Sequence, residues 1–567
     1  MRHLSTADGD EKSGVLARVW PIGSTALWVG VLLTAYVPVY HHGNLLLPLQ
    51  HCTVCFHFRH IGTRRAMKNH SAISILGLFL FTASCADRQE PVSVPLSEPE
   101  PHSVSVNRTE PALIISGEGV YWQVGQAAPG TGAATFTVDT ATVIAEWHGF
   151  GGTFNERGWA ALEALTPEDR NAVLELLFDD ENGIGFDWGR IPMGPSDYAM
   201  DRYSLSESPG SFDLSRDTRY LIPYIKAAQA LNSDIRFWAS PWTPPLWAKT
   251  GPYEHGGYDK GSFDPSYSQE YADYFVNWID AYEQQGIPID HVQPQNEPGF
   301  SQSYPTAAFG PAFDTELNED VYTDRPVTLG TFVNDFLYPA LQASKYKTDL
   351  WLGTLSNDKF FGIYWDSLPD KSKVLGVGLQ WGTQKRIPLL KQAGMLVMQT
   401  EHRCGNYPWM KKVEDIALAN RDTFFADYAP NNHAYAEESW DLIKSWIDDG
   451  VNIYSAWNMV LDDKGFNLDE IRPWPQNAMI AVDVDAGTYR VTPFYYLFRH
   501  VAQYVDVGAQ VVGINGNALA FRNPNNSIVA IIHNPTDVAS METIDINGTL
   551  LQAEVPARGW ATFNWIE

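Results

Sequence analysis

Between residues 143 and 505 short apolar runs alternate with longer amphipathic stretches, and this alternation constrains the fold more than any other feature of the chain. The runs fall at 143–150, 186–191, 235–239, 291–295, 350–355, 374–379, 395–400 and 451–456. Each has the length and the β-branched or aromatic content of a strand, while most stretches between them carry apolar residues at helical spacing. One of those stretches opens on Thr166-Pro167, an N-cap residue followed by proline at the first helical position, and predicts a helix to about Phe178. Strand and helix in alternation predict parallel βα units. Eight such units predict an α/β chain that closes into a (β/α)8 TIM barrel over 145–505.

Both flanks of this region change texture. Residues 112–144 hold short alternating runs, Leu113–Ile115 and Ala134–Val138 among them, separated by glycine-rich turns. After a last barrel helix at Phe494–Tyr504 the pattern returns to strands, with turns at 513–516, 523–526 and Asn547-Gly548. The tail of 506–567 is too short to hide both faces of a sheet by itself, so it needs another β element to pack on. The strands before the barrel are available, which predicts an all-β sandwich side domain formed from both chain ends.

The N-terminal region reads differently. Met67–Cys85 has a basic start, an apolar centre and small residues before the cysteine, and it resembles a bacterial lipoprotein signal, with Thr82 standing where an aliphatic residue is usual. The expectation is translation from Met67, lipidation of Cys85 and export, as an envelope lipoprotein or a secreted protein, with 1–66 a mis-assigned extension. The run Ile22–Tyr40 is apolar enough to cross a bilayer, so a membrane anchor is the competing reading. His51, Cys52, Cys55 and His57 lack a second cysteine pair, and no metal is expected there. Pro91, Pro95, Pro99, Pro101 and Pro111 mark 86–111 as an extended, disordered tether. Beyond Cys85 the only cysteine is Cys404, so no disulfide framework is expected and the core must hold the fold.

A formal net charge of −28 argues against a nucleic-acid partner, because binding phosphates depends on Lys and Arg. Aromatic residues make up 13% of the chain, with 20 Trp, enough to fill a core and still offer flat indole faces to sugar rings. The run Ile287–Val292 leads into Gln295-Asn296-Glu297-Pro298, and Met395–Met398 leads into Gln399-Thr400-Glu401. Each run thus delivers a glutamate at the C-terminal end of a strand, the end where such barrels carry their chemistry. Paired carboxyls roughly 5 Å apart suit retaining hydrolysis of a glycoside, one as acid and the other as nucleophile. Glu297 is assigned as acid/base and Glu401 as nucleophile, with Asn296 placed to bond the sugar 2-hydroxyl. No cofactor is needed.

Gly149–Gly152, Arg190-Ile-Pro-Met-Gly-Pro-Ser-Asp197, Ala239-Ser-Pro-Trp-Thr-Pro-Pro-Leu-Trp247, Gln295–Pro298, Thr400-Glu401, Ala456-Trp-Asn458 and Tyr495-Tyr496 with Val507-Gly508-Ala509 together resemble glycoside hydrolase family 30. That family includes glucosylceramidases and β-1,6-glucanases, so the resemblance implies a retaining β-glycosidase acting on a carbohydrate or glycolipid. It also implies Arg190 near the nucleophile, and Asp197, Trp242, Asn296, Trp457 and Asn458 at the sugar. At the sixth strand Gln380-Trp381-Gly382 stands where glucosylceramidases commonly have His-Trp-Tyr, so the pocket floor is expected to keep Trp381 and lose two polar partners. The competing readings are a β-1,6-glucanase, galactanase, xylanase or fucosidase of the same clan, and a glycan-binding surface lipoprotein without activity. Loops 198–215, 248–266, 303–326 and 459–476 would decide among the sugars.

Overall fold

The computed structural model describes residues 112–404, 429–469 and 475–565. The signal-like segment with Cys85, the apolar run 22–40, the His51–His57 cluster and the tether 86–111 lie outside the described residues.

Eight parallel strands close into a barrel: β1 Gly149–Thr153, β2 Trp188–Pro192, β3 Arg236–Ser240, β4 Ile289–Val292, β5 Asp349–Leu355, β6 Gly376–Leu379, β7 Leu396–Gln399 and β8 Ile453–Asn458. The ring is sealed by β8 pairing with β1, with Ile453 opposite Gly149. Helices fill most of the connections, as the alternation requires. In Ser268–Gln284 the buried residues Tyr271, Phe275, Trp278, Ile279 and Tyr282 form one apolar stripe at helical spacing. Burying each such side chain contributes about 1.5–3 kcal/mol, so tertiary packing rather than propensity fixes this helix. Thr166 caps the helix Pro167–Phe178, its Oγ1 accepting from the Asp169 N–H.

The first run is divided differently from the sequence reading. Residues 143–146 finish a long strand, Phe136–Glu146, that pairs antiparallel with Gln510–Ile514 in the side domain. The barrel strand starts only at Gly149, where glycines leave room for β2: a Cβ on Gly151 would lie 2.9 Å from Trp188 Cβ. The fourth run also shifts. β4 ends at Val292, so Glu297 sits in the segment beyond the strand rather than on its last residue.

The side domain is one ten-stranded sheet made from both chain ends. Ala112–Gly117 pairs with Gly559–Trp565, joining the first described strand to the last. It is fastened to the barrel by polar contacts: His500 makes buried bonds to Thr562 Oγ1 at 2.8 Å and Ser116 Oγ at 2.7 Å, and Trp440 Nε1 makes a part-buried donation to Asn517 Oδ1 at 2.8 Å.

Inside the barrel, Trp188, Trp238, Trp351, Met398 and Ile453 form an apolar plug. His291 lies between two of its indoles, with ring centroids 5.5 Å from Trp238 and 4.5 Å from Trp351. Side chains two apart on a strand share a face. Trp188 is therefore followed inward by Arg190, and Trp238 by Ser240, which sets a polar layer above the indoles toward the C-terminal ends of the strands.

Candidate active site

The polar layer is centred on Arg190, whose side chain is fully buried. Its Nη1 donates to Glu401 Oε2 at 2.8 Å and its Nη2 to Asn296 Oδ1 at 2.7 Å. Ser240 Oγ takes two further donations, from Nε at 3.3 Å and Nη2 at 3.0 Å. The guanidinium carbon lies 4.3 Å from the Trp242 ring centroid, 4.9 Å from that of Trp238 and 5.5 Å from that of Trp457. A cation taken out of water is costly unless its donors are used and a counter-charge is near; carboxylate, amide, hydroxyl and indole faces together meet that need.

Glu401 follows β7 by two residues and is 9% exposed. Burial pushes its carboxyl up to about 7, with the Arg190 guanidinium pulling it down and Glu297 pushing it further up. The two glutamates thus sit within electrostatic reach of each other. Beyond β4 the chain runs alongside the tip of β5: Thr354 N–H donates to Gln295 O at 2.6 Å, and Glu297 N–H to Thr354 O at 3.0 Å. Glu297 itself takes φ of +47°, a conformation unfavourable for a residue with a Cβ and held here by those neighbours. Its side chain is half-buried, and Tyr304 Oη donates to its Oε2 at 3.2 Å.

Asn296 is tied down through one atom. Its Oδ1 accepts from Arg190 Nη2, from Thr354 Oγ1 at 2.9 Å and from Gln380 Nε2 at 3.2 Å. A guanidinium has no acceptor, so the atom facing it must be the oxygen. The Nδ2 end of Asn296 is left as the one available to substrate.

Asp197 is buried, and its Oδ1 has no hydrogen-bond partner among the described residues. Burial, reinforced by Glu401 and Glu297, pushes its carboxyl well above the usual range. Trp242 and Trp457 stack on each other at 5.5 Å and are each 2% exposed, so their faces enclose the guanidinium first. Trp457 Nε1 donates to Gln476 Oε1 at 2.9 Å. Asn458, expected at the sugar, has both ends of its amide engaged, accepting from Asn155 Nδ2 at 3.1 Å and donating to Gln476 Oε1 at 3.1 Å. It acts as a brace between Asn155, the N-cap of the helix Glu156–Glu163, and the end of β8. Trp381 is partly exposed beside Gln380.

Gln380 corrects one of the two losses of polar partners expected at β6, the other standing at Gly382. Its Nε2 donates to Glu401 Oε2 at 3.1 Å, Thr354 Oγ1 at 3.1 Å and Asn296 Oδ1 at 3.2 Å. Sequence reasoning missed Ser240, Thr354, Gln380 and Tyr304 as members of the site. Ser240 stood inside a quoted motif and Gln380 in the departure from one, while nothing local marked the other two.

The mouth loops are tied to one another. Arg202 grips buried Asp259 with two bonds, Nε to Oδ1 at 2.8 Å and Nη2 to Oδ2 at 2.7 Å, and also reaches Leu468 O at 3.0 Å. Lys249 Nζ donates to Tyr258 O at 2.7 Å and Thr306 O at 2.8 Å. Burial pulls the Lys249 amine down to about 7, and charged or neutral it has donors for both carbonyls. Among the described residues no group of three or more His, Cys, Asp or Glu is arranged to hold a metal.

Comparison with known proteins bears on this geometry. Residues 147–365 match the profile of the glycosyl hydrolase family 30 TIM-barrel domain, and 507–563 that of the glycosyl hydrolase family 30 beta sandwich domain. The lysosomal acid glucosylceramidase of Mus musculus is 26% identical over 447 residues, 74% of this chain and 80% of its own length. The endo-1,6-beta-D-glucanase of Neurospora crassa is 23% identical over 392 residues, 65% of this chain and 72% of its own. A solved endo-β1,6-glucanase shares the fold at a TM-score of 0.64 and 22% identity, covering 81% of this chain and 100% of that one.

Proposed function

The chain belongs to glycosyl hydrolase family 30 and is a glycoside hydrolase, and from that premise we propose that it cleaves β-glucosidic bonds with net retention of configuration. The observation that carries the reading is Glu401 buried on Arg190 with Glu297 in electrostatic reach. Glu297, half-buried at the mouth, protonates the departing oxygen while Glu401 attacks the anomeric carbon. The glycosyl-enzyme so formed is released when Glu297, now a base, takes a proton from water. Asn296 Nδ2 bonds the sugar 2-hydroxyl, a contact that strengthens as the ring flattens toward the oxocarbenium-like transition state. Asp197, whose buried Oδ1 has no partner among the described residues, bonds a second ring hydroxyl.

A glucosylceramidase-type substrate is the leading choice, supported by the murine relative; a β-1,6-glucan is the second, supported by the fungal one. The ties from Arg202 to Asp259 and Leu468, and from Lys249 to two loop carbonyls, favour a fixed pocket that receives one terminal sugar. The test measures aryl β-glycosides with wild type, Glu401→Gln and Glu297→Gln, and identifies by NMR the anomer first released. Equal turnover by all three proteins, or first release of the α-anomer, refutes the reading. We also infer export with lipidation at Cys85, supported by the Met67–Cys85 pattern; mass spectrometry finding an unmodified N-terminus upstream of Met67 in cells rejects it.

A further inference from the structure

We propose that Gln380 is the positioning residue that makes this site demand a 2-hydroxyl on the sugar, an inference that rests on the hydrolase reading above. Its amide carries two hydrogens and faces three acceptors, on Glu401, Thr354 and Asn296, all between 3.1 and 3.2 Å. Only the Asn296 contact bears on orientation. The side chain of Asn296 is held solely through Oδ1, and each of its three donors opposes rotation of the amide. Arg190 fixes which end points inward, and Thr354 and Gln380 fix the plane in which the other end points out. Nδ2 therefore meets the 2-hydroxyl preoriented, with little ordering left to do on binding.

The other end of Gln380 supports this. Its Oε1 is buried with no hydrogen-bond partner among the described residues. An unpaired buried carbonyl oxygen is destabilising, and it is tolerated here because the other end of the amide donates toward three acceptors. What the amide does instead is supply one N–H group to the nucleophile and to the 2-hydroxyl reader together. Glu401 loses its charge when it becomes bonded to the sugar, and a hydrogen bond to a neutral ester is weaker than one to a carboxylate. The Gln380 hydrogen is then released toward Asn296 Oδ1, tightening the amide in the glycosyl-enzyme. Being neutral, Gln380 does this at any pH, whereas a histidine in its place would titrate.

The experiment compares 2,4-dinitrophenyl β-D-glucopyranoside with its 2-deoxy counterpart on wild type, Gln380→Met and Gln380→His. Both substrates carry a good leaving group, so acid assistance by Glu297 drops out of the comparison. Methionine keeps the length and removes the donor; histidine restores an N–H. We expect the wild-type kcat/KM preference for the 2-hydroxy substrate to shrink about tenfold or more in Gln380→Met, one lost oriented hydrogen bond. Gln380→His is expected to recover part of it. Melting temperatures within about 3 °C of wild type separate these effects from unfolding. An equal fall on both substrates, leaving the preference intact, overturns the assignment and makes Gln380 a support of Glu401 alone. Wild type inert on both substrates overturns the hydrolase reading itself, a failure visible before any variant is measured.

Discussion

Replacing Arg190 by methionine separates the charge of the site from its shape. The guanidinium is fully buried, 2.8 Å from Glu401 Oε2, and only the carboxylate side of the pair is slightly exposed. Taking charge centres about 4 Å apart and an effective dielectric of about 20, the attraction is roughly 4 kcal/mol. Loss of a buried partner in measured cases costs about 3–5 kcal/mol, in agreement. At 1.36 kcal/mol per pH unit this raises the Glu401 carboxyl by about two to three units, water entering the vacated space keeping it near the lower figure. The nucleophile must be ionised, so the acid limb of kcat/KM moves to higher pH. At pH 7 the variant should lose roughly a hundredfold and regain much of it in alkali. Arg190→Lys keeps a charge but cannot span Glu401, Asn296 and Ser240 together, so its acid limb should stay within about half a unit of wild type while kcat falls. The assay is a pH profile with a dinitrophenyl glycoside, where the acid limb reports Glu401 without Glu297. Coincident acid limbs for Arg190→Met and wild type would show that Arg190 does not hold the nucleophile ionised.

Three further outcomes follow from the same structure. Glu297→Gln should spare dinitrophenyl glycosides in the glycosylation step and abolish turnover of alkyl glycosides, with azide restoring release of the glycosyl-enzyme; equal loss on both leaving groups would remove Glu297 from the acid role. Asp217, buried against Tyr282 Oη at 2.8 Å, has its carboxyl pushed up to about 7 by burial, above its unfolded value near 4. The folded chain therefore holds a proton the unfolded chain has released between those values, and the stability so conferred below pH 4 is lost as pH rises through 7. Asp217→Asn, neutral throughout, should be nearly silent in urea melts at pH 4 and stabilising at pH 8, by at most about 4 kcal/mol; a pH-independent effect contradicts the burial argument. Gly376→Ala would set a Cβ 2.7 Å from the Trp351 ring and 2.8 Å from Leu396 O, so a destabilisation of about 1–3 kcal/mol is expected, and a neutral melt refutes the tight-plug description.

The strand ends were legible because local rules act there. Glycines at 149–152 clear space for Trp188 and period-2 spacing carries Trp188 into Arg190 on one face, whereas β4 stops at Val292, well before Pro298. The two-ended side domain followed from the inability of a short tail to cover a sheet alone, and its closure by Ala112–Gly117 on Gly559–Trp565 is that argument's structural counterpart. What escaped the sequence is what barrel closure decides. Ser240, Thr354 and Gln380 lie on β3, β5 and just past β6, and only the stagger of a closed ring brings all three to Arg190, Asn296 and Glu401. Gln380 was misjudged for the same reason, since its reach across the ring has no signature along the chain. The division of 143–150 between sandwich and barrel escaped because the apolar end of one strand, Val143–Ala145, runs on toward Phe150 of the next and only two residues separate the strands.

The plug and the catalytic layer are one device. A polar layer of Arg, Asn, Gln, Thr, Ser and Glu in the middle of a barrel would admit water from below if the strands beneath it carried small side chains. Three indoles and His291 close that end, and burial pulls His291 below its usual value, so it stays neutral in the stack at neutral pH. With the floor closed, Glu401 stays desolvated, and burial is the largest cause of its raised carboxyl, outweighing the opposite pull of Arg190. The indole of Trp238 serves both layers, part of the plug and 4.9 Å from the guanidinium above it. Loosening the floor should therefore weaken the nucleophile before it unfolds the barrel. Trp351→Ala, which opens a cavity one layer below Arg190 without touching Glu401, should shift the kcat/KM acid limb back toward the ordinary carboxylate range as water enters, by about one unit. An acid limb that stays put while stability falls would mean that the floor supports the fold alone.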